Sequence, residues 1–360
     1  MSVDSQPADR DESQSALSTW LSKSNRADPQ NAGEKPSAGQ SRKQPLTDRD
    51  GISLRSEVRD LDAPDQAATW QQAIYRYREY IRDKADEKQV FENAATGETS
   101  AASKPHRFAT EYGDKQYAKL KDLERGVGKE FGKRLHTAML TFTASSLDGG
   151  PLPPVDHLDE LLESWDAIRR ALDRVLEDHR FARLAILEPH PGDGVNNGYL
   201  HIHIAVFIDG RVEPEAFEPV IDAHLNNCDQ AERSAHSVDD ISVRHAGLDR
   251  RDPTDDDTLD ELAIYLAEYL GTYGDDDPLD EPEHVQASNA ILWATGRQRW
   301  RPCQTAQQFM KYDGPEKATD WEYIGIEKDG EIHEVDSSAP GGVDTFTTGE
   351  APDLLDPPPD

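Results

Sequence analysis

Ten consecutive residues, Tyr199-Leu200-His201-Ile202-His203-Ile204-Ala205-Val206-Phe207-Ile208, alternate with the period of an extended strand. Side chains alternate between the two faces of a strand. Leu200, Ile202, Ile204, Val206 and Ile208 therefore share one wholly apolar face, which reads as the side buried against helices. Tyr199, His201, His203, Ala205 and Phe207 share the other. Two rises of about 3.3 Å set the two imidazoles about 6.6 Å apart along the strand. Side chains at that spacing can close on one metal ion.

A single histidine on a sheet is usually a satisfied core or surface group. Two with one residue between them, backed by an uninterrupted apolar face, point instead to a ligand pair. The same His-x-His spacing occurs on cupin strands, which place a Glu a few residues downstream; residues 205–210 contain none. The carboxylate lies upstream, in the strand-like run Arg183-Leu184-Ala185-Ile186-Leu187-Glu188. The turn-rich stretch 189–198, with Pro189, Pro191, Gly192, Gly194 and Gly198, joins the two runs. Antiparallel pairing would bring Glu188 back beside the histidines and create a mixed His/His/Glu site for a divalent ion.

The charge of the chain shapes what such a site can meet. There are 43 Asp and 28 Glu against 25 Arg and 14 Lys, a net −32. An acidic, lysine-poor surface stays hydrated in molar salt, where the Debye length is about 3 Å and self-repulsion is screened. A disordered acidic chain would show the same charge, but the middle of this one carries periodic apolar segments. The composition reads as that of a halophile with high internal salt. Charge of this sign normally argues against nucleic acid; in molar salt local basic and aromatic groups decide. Cys228 and Cys303 have neither CxxC spacing nor partnering histidines, so neither a disulfide framework nor a zinc finger is expected. No apolar run reaches the 18–20 residues of a membrane span and the start lacks a signal-peptide pattern, so a cytoplasmic protein with no membrane partner is expected.

Composition divides the chain. Residues 1–64 are polar and read as disordered. Residues 65–114 read as a helical extension around Trp70, Ile74, Tyr77 and Ile81. The pattern predicts helices over 115–130 and, as one long element, 155–178, where Leu158, Leu161, Leu162, Trp165, Ile168, Leu172 and Leu176 keep helical spacing. Short strands are expected at 137–143 and 241–245, and a helix at 213–226. Asp329-Gly330 signals a hairpin within an extension spanning 313–335, and 336–360 reads as an acidic disordered tail.

Residues 259–273 form a second element with chemistry. Leu259, Leu262, Leu266 and Leu270 make one helical stripe, with Tyr265 and Tyr269 together at its edge. Tyrosine beside leucine is ordinarily packing. What singles these out is the order of three motifs. Leu140-Thr141-Phe142-Thr143 comes first, the strand with His201 and His203 second, and Tyr265-Leu266-Ala267-Glu268-Tyr269 third. That order resembles the HUH endonucleases, and within them the rolling-circle replication initiators. The stretch 115–312, with Leu187-Glu188-Pro189-His190-Pro191 and Leu292-Trp293-Ala294-Thr295-Gly296-Arg297, looks most similar to replication proteins of haloarchaeal plasmids and pleomorphic viruses. In one respect the sequence departs: many two-tyrosine relatives carry Lys before the second Tyr, where this chain has Glu268.

The resemblance implies an α+β fold, with a central antiparallel sheet, flanking helices and a ferredoxin-like or RRM-like core, and a nickase domain over 115–312. It implies Mn²⁺ or Mg²⁺ on His201, His203 and Glu188, with Tyr265 and Tyr269 as nucleophiles that cut single-stranded origin DNA. A 5′-phosphotyrosine and a free 3′-OH primer would result, with a host helicase and polymerase as partners. A transposase or relaxase of the same superfamily shares the nicking step, and a non-catalytic origin-binding copy-control protein would share only the fold. Arg297, Arg299, Trp300 and Arg301 offer cations and a stacking surface for single-stranded DNA, or else an arginine-rich loop tied into ion pairs. Thr141 and Thr143 could bind DNA or fill a strand, and read chiefly as strand residues.

Overall fold

A computed structural model describes residues 38–59, 67–104, 106–192, 194–246, 277–310, 320–328 and 330–334. At its centre is a five-stranded sheet in the order β6-β3-β5-β4-β7. These strands are β3 (Leu135–Phe142), β4 (Phe181–Pro189), β5 (Leu200–Asp209), β6 (Ser242–Arg244) and β7 (Trp300–Pro302). Every pairing is antiparallel. The alternating run forms β5, the middle strand, and the 183–188 run forms the body of its neighbour β4.

Helices cover both faces of the sheet. The apolar side of β5 meets α1 (Trp70–Ala85), α3 (Pro154–Glu163), α4 (Trp165–Val175), α5 (Glu218–Leu225) and α6 (Glu283–Thr295), and Leu200, Ile202, Ile204, Val206 and Ile208 are all buried there. Burial of a side chain of this size contributes about 1.5–3 kcal/mol, so this face anchors the domain. Over part of the opposite face lie α2 (Thr110–Phe131) and α7 (Gln304–Phe309), with Leu120, Leu123, Val127 and Phe131 packed on Met139, Leu184, Ile186, Ala205 and Phe207. His201 and His203 belong to that second face, beyond its apolar half.

Four expectations about local structure change. The single helix over 155–178 is two helices that break at Ser164. There the buried Ser164 hydroxyl reaches Leu161 O at 2.9 Å and His224 Nδ1 at 2.8 Å. Serine side chains compete in this way with helix hydrogen bonds. Tyr199 does not join the histidine face. It precedes β5, its ring packs edge-on against Trp70, and its hydroxyl donates to Leu152 O.

The third change concerns the N-terminal part. Disorder through residue 64 does not hold for 38–59, because Leu46 and Val58 are fully buried. Leu46 N donates to Ala68 O, and Arg55 N to Ala294 O, both at 2.9 Å.

The 65–114 extension is also only partly helical. After α1 come β1 (Lys88–Asn93) and β2 (Thr99–Ser103), which pair with β8 (Trp321–Lys328) and β9 (Glu331–Glu334) in a second antiparallel sheet, β2-β1-β8-β9. β8 pairs antiparallel with β9, as the expected hairpin requires, while Asp329 itself lies outside the described residues. Gly330 has φ +80°, a left-handed conformation that glycine adopts without a Cβ penalty. Among the described residues no helix is long and apolar enough to cross a membrane.

Candidate metal centre

In the β4–β5 ladder Glu188 stands opposite His201, and in the β3–β5 ladder Thr141 stands opposite His203. Directly opposed residues have Cβ atoms about 4.5–5.5 Å apart. Alternation then puts Glu188, His201, His203 and Thr141 on one side of three adjacent strands. The antiparallel return read from the sequence accounts for the approach of Glu188.

The three expected ligands converge. His201 Nε2 lies 2.8 Å from His203 Nε2 and 3.3 Å from Glu188 Oε2, and His203 Nε2 touches the same oxygen. Exposure of Glu188, His201 and His203 is 4%, 6% and 3%, so water does little to screen them. Among the described residues this is the one group of three or more His, Cys, Asp or Glu side chains arranged to hold a metal ion.

The donor chemistry fits a divalent cation. Glu188 Oε2 is buried and receives no well-formed hydrogen bond, and neither does His201 Nδ1. Buried polar atoms are nearly always partnered, so a carboxylate oxygen facing two ring nitrogens calls for a shared positive centre. Neighbouring ligand atoms on an octahedral ion with bonds of about 2.1 Å stand about 3 Å apart, close to the two separations quoted. Two imidazoles and one carboxylate suit Mn²⁺, with Mg²⁺ less tolerant of nitrogen.

Electrostatics follow the same lines. Burial alone would raise the Glu188 carboxyl, but His203 and His201 outweigh it and hold the group at about 2. Burial lowers His201, while Glu188 pulls the other way. Metals bind imidazole through an unprotonated ring nitrogen and a carboxylate in its ionised form.

The His190 ring lies tilted against that of His201 with centroids 4.2 Å apart, and burial with the nearby His201 lowers its pKa well below the ordinary histidine value. Its backbone exchanges hydrogen bonds with the far end of the turn: His190 N to Tyr199 O at 2.8 Å, and Gly198 N to His190 O at 2.9 Å. Gly198 is obligatory here. Its φ is +81°, and a Cβ would come within 2.9 Å of Arg42 Nη2 and 3.1 Å of His284 O. Arg42 braces the turn from outside. Its guanidinium lies 3.7 Å from the Trp70 ring centroid and donates to Asn197 Oδ1 at 2.5 Å. Neither His190 nor Arg42 was singled out as functional by sequence. The Pro189-His190-Pro191 context was the visible signal for the first; nothing short of the tertiary contact marks the second.

The expected DNA-binding cluster is placed differently. Trp300 is 8% exposed and lies in the core beneath α2 and α7, because it opens the edge strand β7 opposite Ile186. It therefore offers no open stacking surface. Arg297 is ion-paired with Asp159. Arg299 hydrogen-bonds Asn289, and burial lowers its pKa. Arg301 is half-buried opposite Ala185. The expected nucleophiles Tyr265 and Tyr269, with Tyr273, lie outside the described residues.

Residues 43–352 match the family described as "Putative rep protein (DUF1424)", and the chain belongs to that family. It is 43% identical over 312 residues to an "Uncharacterized 36 kDa protein" of Halobacterium salinarum, covering 82% of this chain and 95% of the relative. It is also 43% identical over 305 residues to a protein of the same description from Halobacterium sp. (strain GN101), covering 81% and 93%. Relatives in salt-loving organisms accord with the acidic, lysine-poor composition. No solved structure matches.

Proposed function

We propose that this Rep-family protein is a rolling-circle initiator of the HUH endonuclease type, which nicks single-stranded origin DNA. The observation that carries the reading is the convergence of Glu188, His201 and His203 on one side of the central sheet. A divalent ion bound there would withdraw charge from a phosphate oxygen and orient the phosphodiester. The strand pair holds the ligands before substrate arrives, so little reorganisation is needed when DNA binds. Helices on both faces keep the site in a low-dielectric frame.

Tyr265 and Tyr269 supply the attacking oxygens in this account. The hydroxyl oxygen forms a bond to phosphorus and the bond from phosphorus to the 3′ oxygen breaks. The phenolic proton leaves to solvent, and the 3′ oxygen departs as a free 3′-OH that a host polymerase can extend. The 5′-phosphotyrosine retains the energy of the broken bond, so no nucleotide cofactor is required. A second tyrosine, about one helical turn away, can then cut the regenerated origin at the end of a round, with a host helicase opening the duplex.

Full-length protein incubated with labelled single-stranded origin DNA and Mn²⁺ tests this reading. A covalent protein–DNA species that disappears on chelation supports it. Metal-independent binding with no cleavage would favour the non-catalytic origin-binding alternative.

A further inference from the structure

Thr141 faces His203 across the β3–β5 ladder, on the side of the sheet that carries Glu188. Its Oγ1 is 2.9 Å from Nδ1 of His203, while Nε2 of that ring is directed at His201 and Glu188. A neutral imidazole carries one N–H and one lone pair, and the partner at one nitrogen decides which nitrogen keeps the lone pair. We propose that Thr141 is a positioning residue for the metal centre: it accepts the Nδ1–H of His203, fixes the ring's rotation and leaves the Nε2 lone pair aimed into the site. The inference rests on the metal-site reading of Glu188, His201 and His203.

The alternative role for Thr141 is to fill a strand, and for that a valine would serve as well or better. The hydroxyl distinguishes them. It meets the one ring nitrogen that the cluster leaves over, and it does so from a directly opposed position that the sheet holds rigidly. The two histidines are also treated differently. His201 Nδ1 has no hydrogen-bond partner and the His190 ring lies tilted against it, so of the two histidines only His203 is held at Nδ1 by a hydrogen bond to a neighbouring strand. Residues that orient a metal-bound histidine from behind are worth roughly 10–100-fold in metal affinity.

The test is Mn²⁺ titration by calorimetry on full-length protein in molar KCl, comparing wild type, Thr141→Val, Thr141→Ser and His203→Ala. Thr141→Val should weaken binding roughly 10–100-fold while Thr141→Ser, which keeps the hydroxyl, stays within about threefold. Wild-type affinity in Thr141→Val alongside loss of binding in His203→Ala would overturn the role of Thr141 and leave the metal site standing. Undiminished binding in His203→Ala would bring down the site and the inference with it. Imidazole ¹⁵N spectra of metal-free wild-type protein at pH 8 provide a reading that needs no variant at this position. His203 should carry its proton on Nδ1, and a bare Nδ1 would overturn the proposal.

Discussion

Glu188 and His201 face each other across β4 and β5, with Oε2 of one 3.3 Å from Nε2 of the other. Both residues sit within hydrogen-bonded strands, so the geometry of the site is set by the sheet ladder and not by loop conformation. Mutational consequences should therefore be local.

Removing either imidazole deletes a ligand while leaving the apolar face of β5 untouched. His201→Ala and His203→Ala should each abolish Mn²⁺-dependent nicking and cut metal affinity by more than the roughly 10–100-fold expected of an outer partner. Their circular dichroism spectra should match wild type. Glu188→Ala should weaken metal binding by a smaller margin. Full Mn²⁺-dependent activity in the His201→Ala/His203→Ala double variant would contradict the ligand assignment.

Acid should destabilise the fold through buried neutral histidines. Burial holds His157 and His224 at about 4 in the folded protein, below the unfolded value near 6.5. Their folded pKa values are depressed, so the unfolded chain binds more protons between pH 6.5 and 4, and stability falls as pH drops through that window. Each group accounts for up to about 3 kcal/mol by pH 4. His224→Asn should reduce the pH 7-to-5 drop in melting temperature measured in molar KCl. Parallel curves for variant and wild type would remove His224 from this role.

The segment before α1 should contribute to stability. Leu46 is fully buried in the principal core, and Leu46→Ala should cost about 2–5 kcal/mol in denaturant unfolding. A change under 0.5 kcal/mol would indicate that residues 38–59 are detached in solution.

Trp300 should behave as a core residue. Trp300→Ala should cost about 3–5 kcal/mol, whereas Trp300→Phe should leave single-stranded DNA affinity within about threefold, since base stacking on an exposed ring would contribute about 1–3 kcal/mol. Loss of DNA binding in a stably folded Trp300→Phe protein would restore the stacking role read from sequence.

Much of the site was legible because strand periodicity is local. Alternation from Leu200 to Ile208 named the buried face and the histidine face, and the Pro/Gly turn at 189–198 implied the return of Glu188. Elements that depend on distant partners were not. Leu46 and Val58 are isolated apolar residues in a polar stretch, and only contact with other parts of the chain gives them a core. β2 reads Thr99-Ser100-Ala101-Ala102-Ser103, with no apolar alternation, and exists because β1 pairs with it. Ser164 breaks a helical pattern through its contact with His224, which lies far along the chain. Trp300 among arginines looks like a nucleic-acid contact until β7 is seen to lie along β4. Thr141 read as strand filling because its partner, His203, is specified by register alone.

The central claim is metal-assisted attack by tyrosine, and mapping the residue that carries DNA tests it most directly. Wild-type protein, Tyr265→Phe and Tyr269→Phe are each incubated with single-stranded origin DNA and Mn²⁺, and the DNA-linked peptide is identified by mass spectrometry. The account predicts that first cleavage leaves the 5′-phosphate on Tyr265. Tyr265→Phe should then form no adduct, while Tyr269→Phe should nick once and fail to release the displaced circle. An adduct on Tyr273, on neither member of the Tyr265/Tyr269 pair, or formed equally well after chelation of the metal would contradict it.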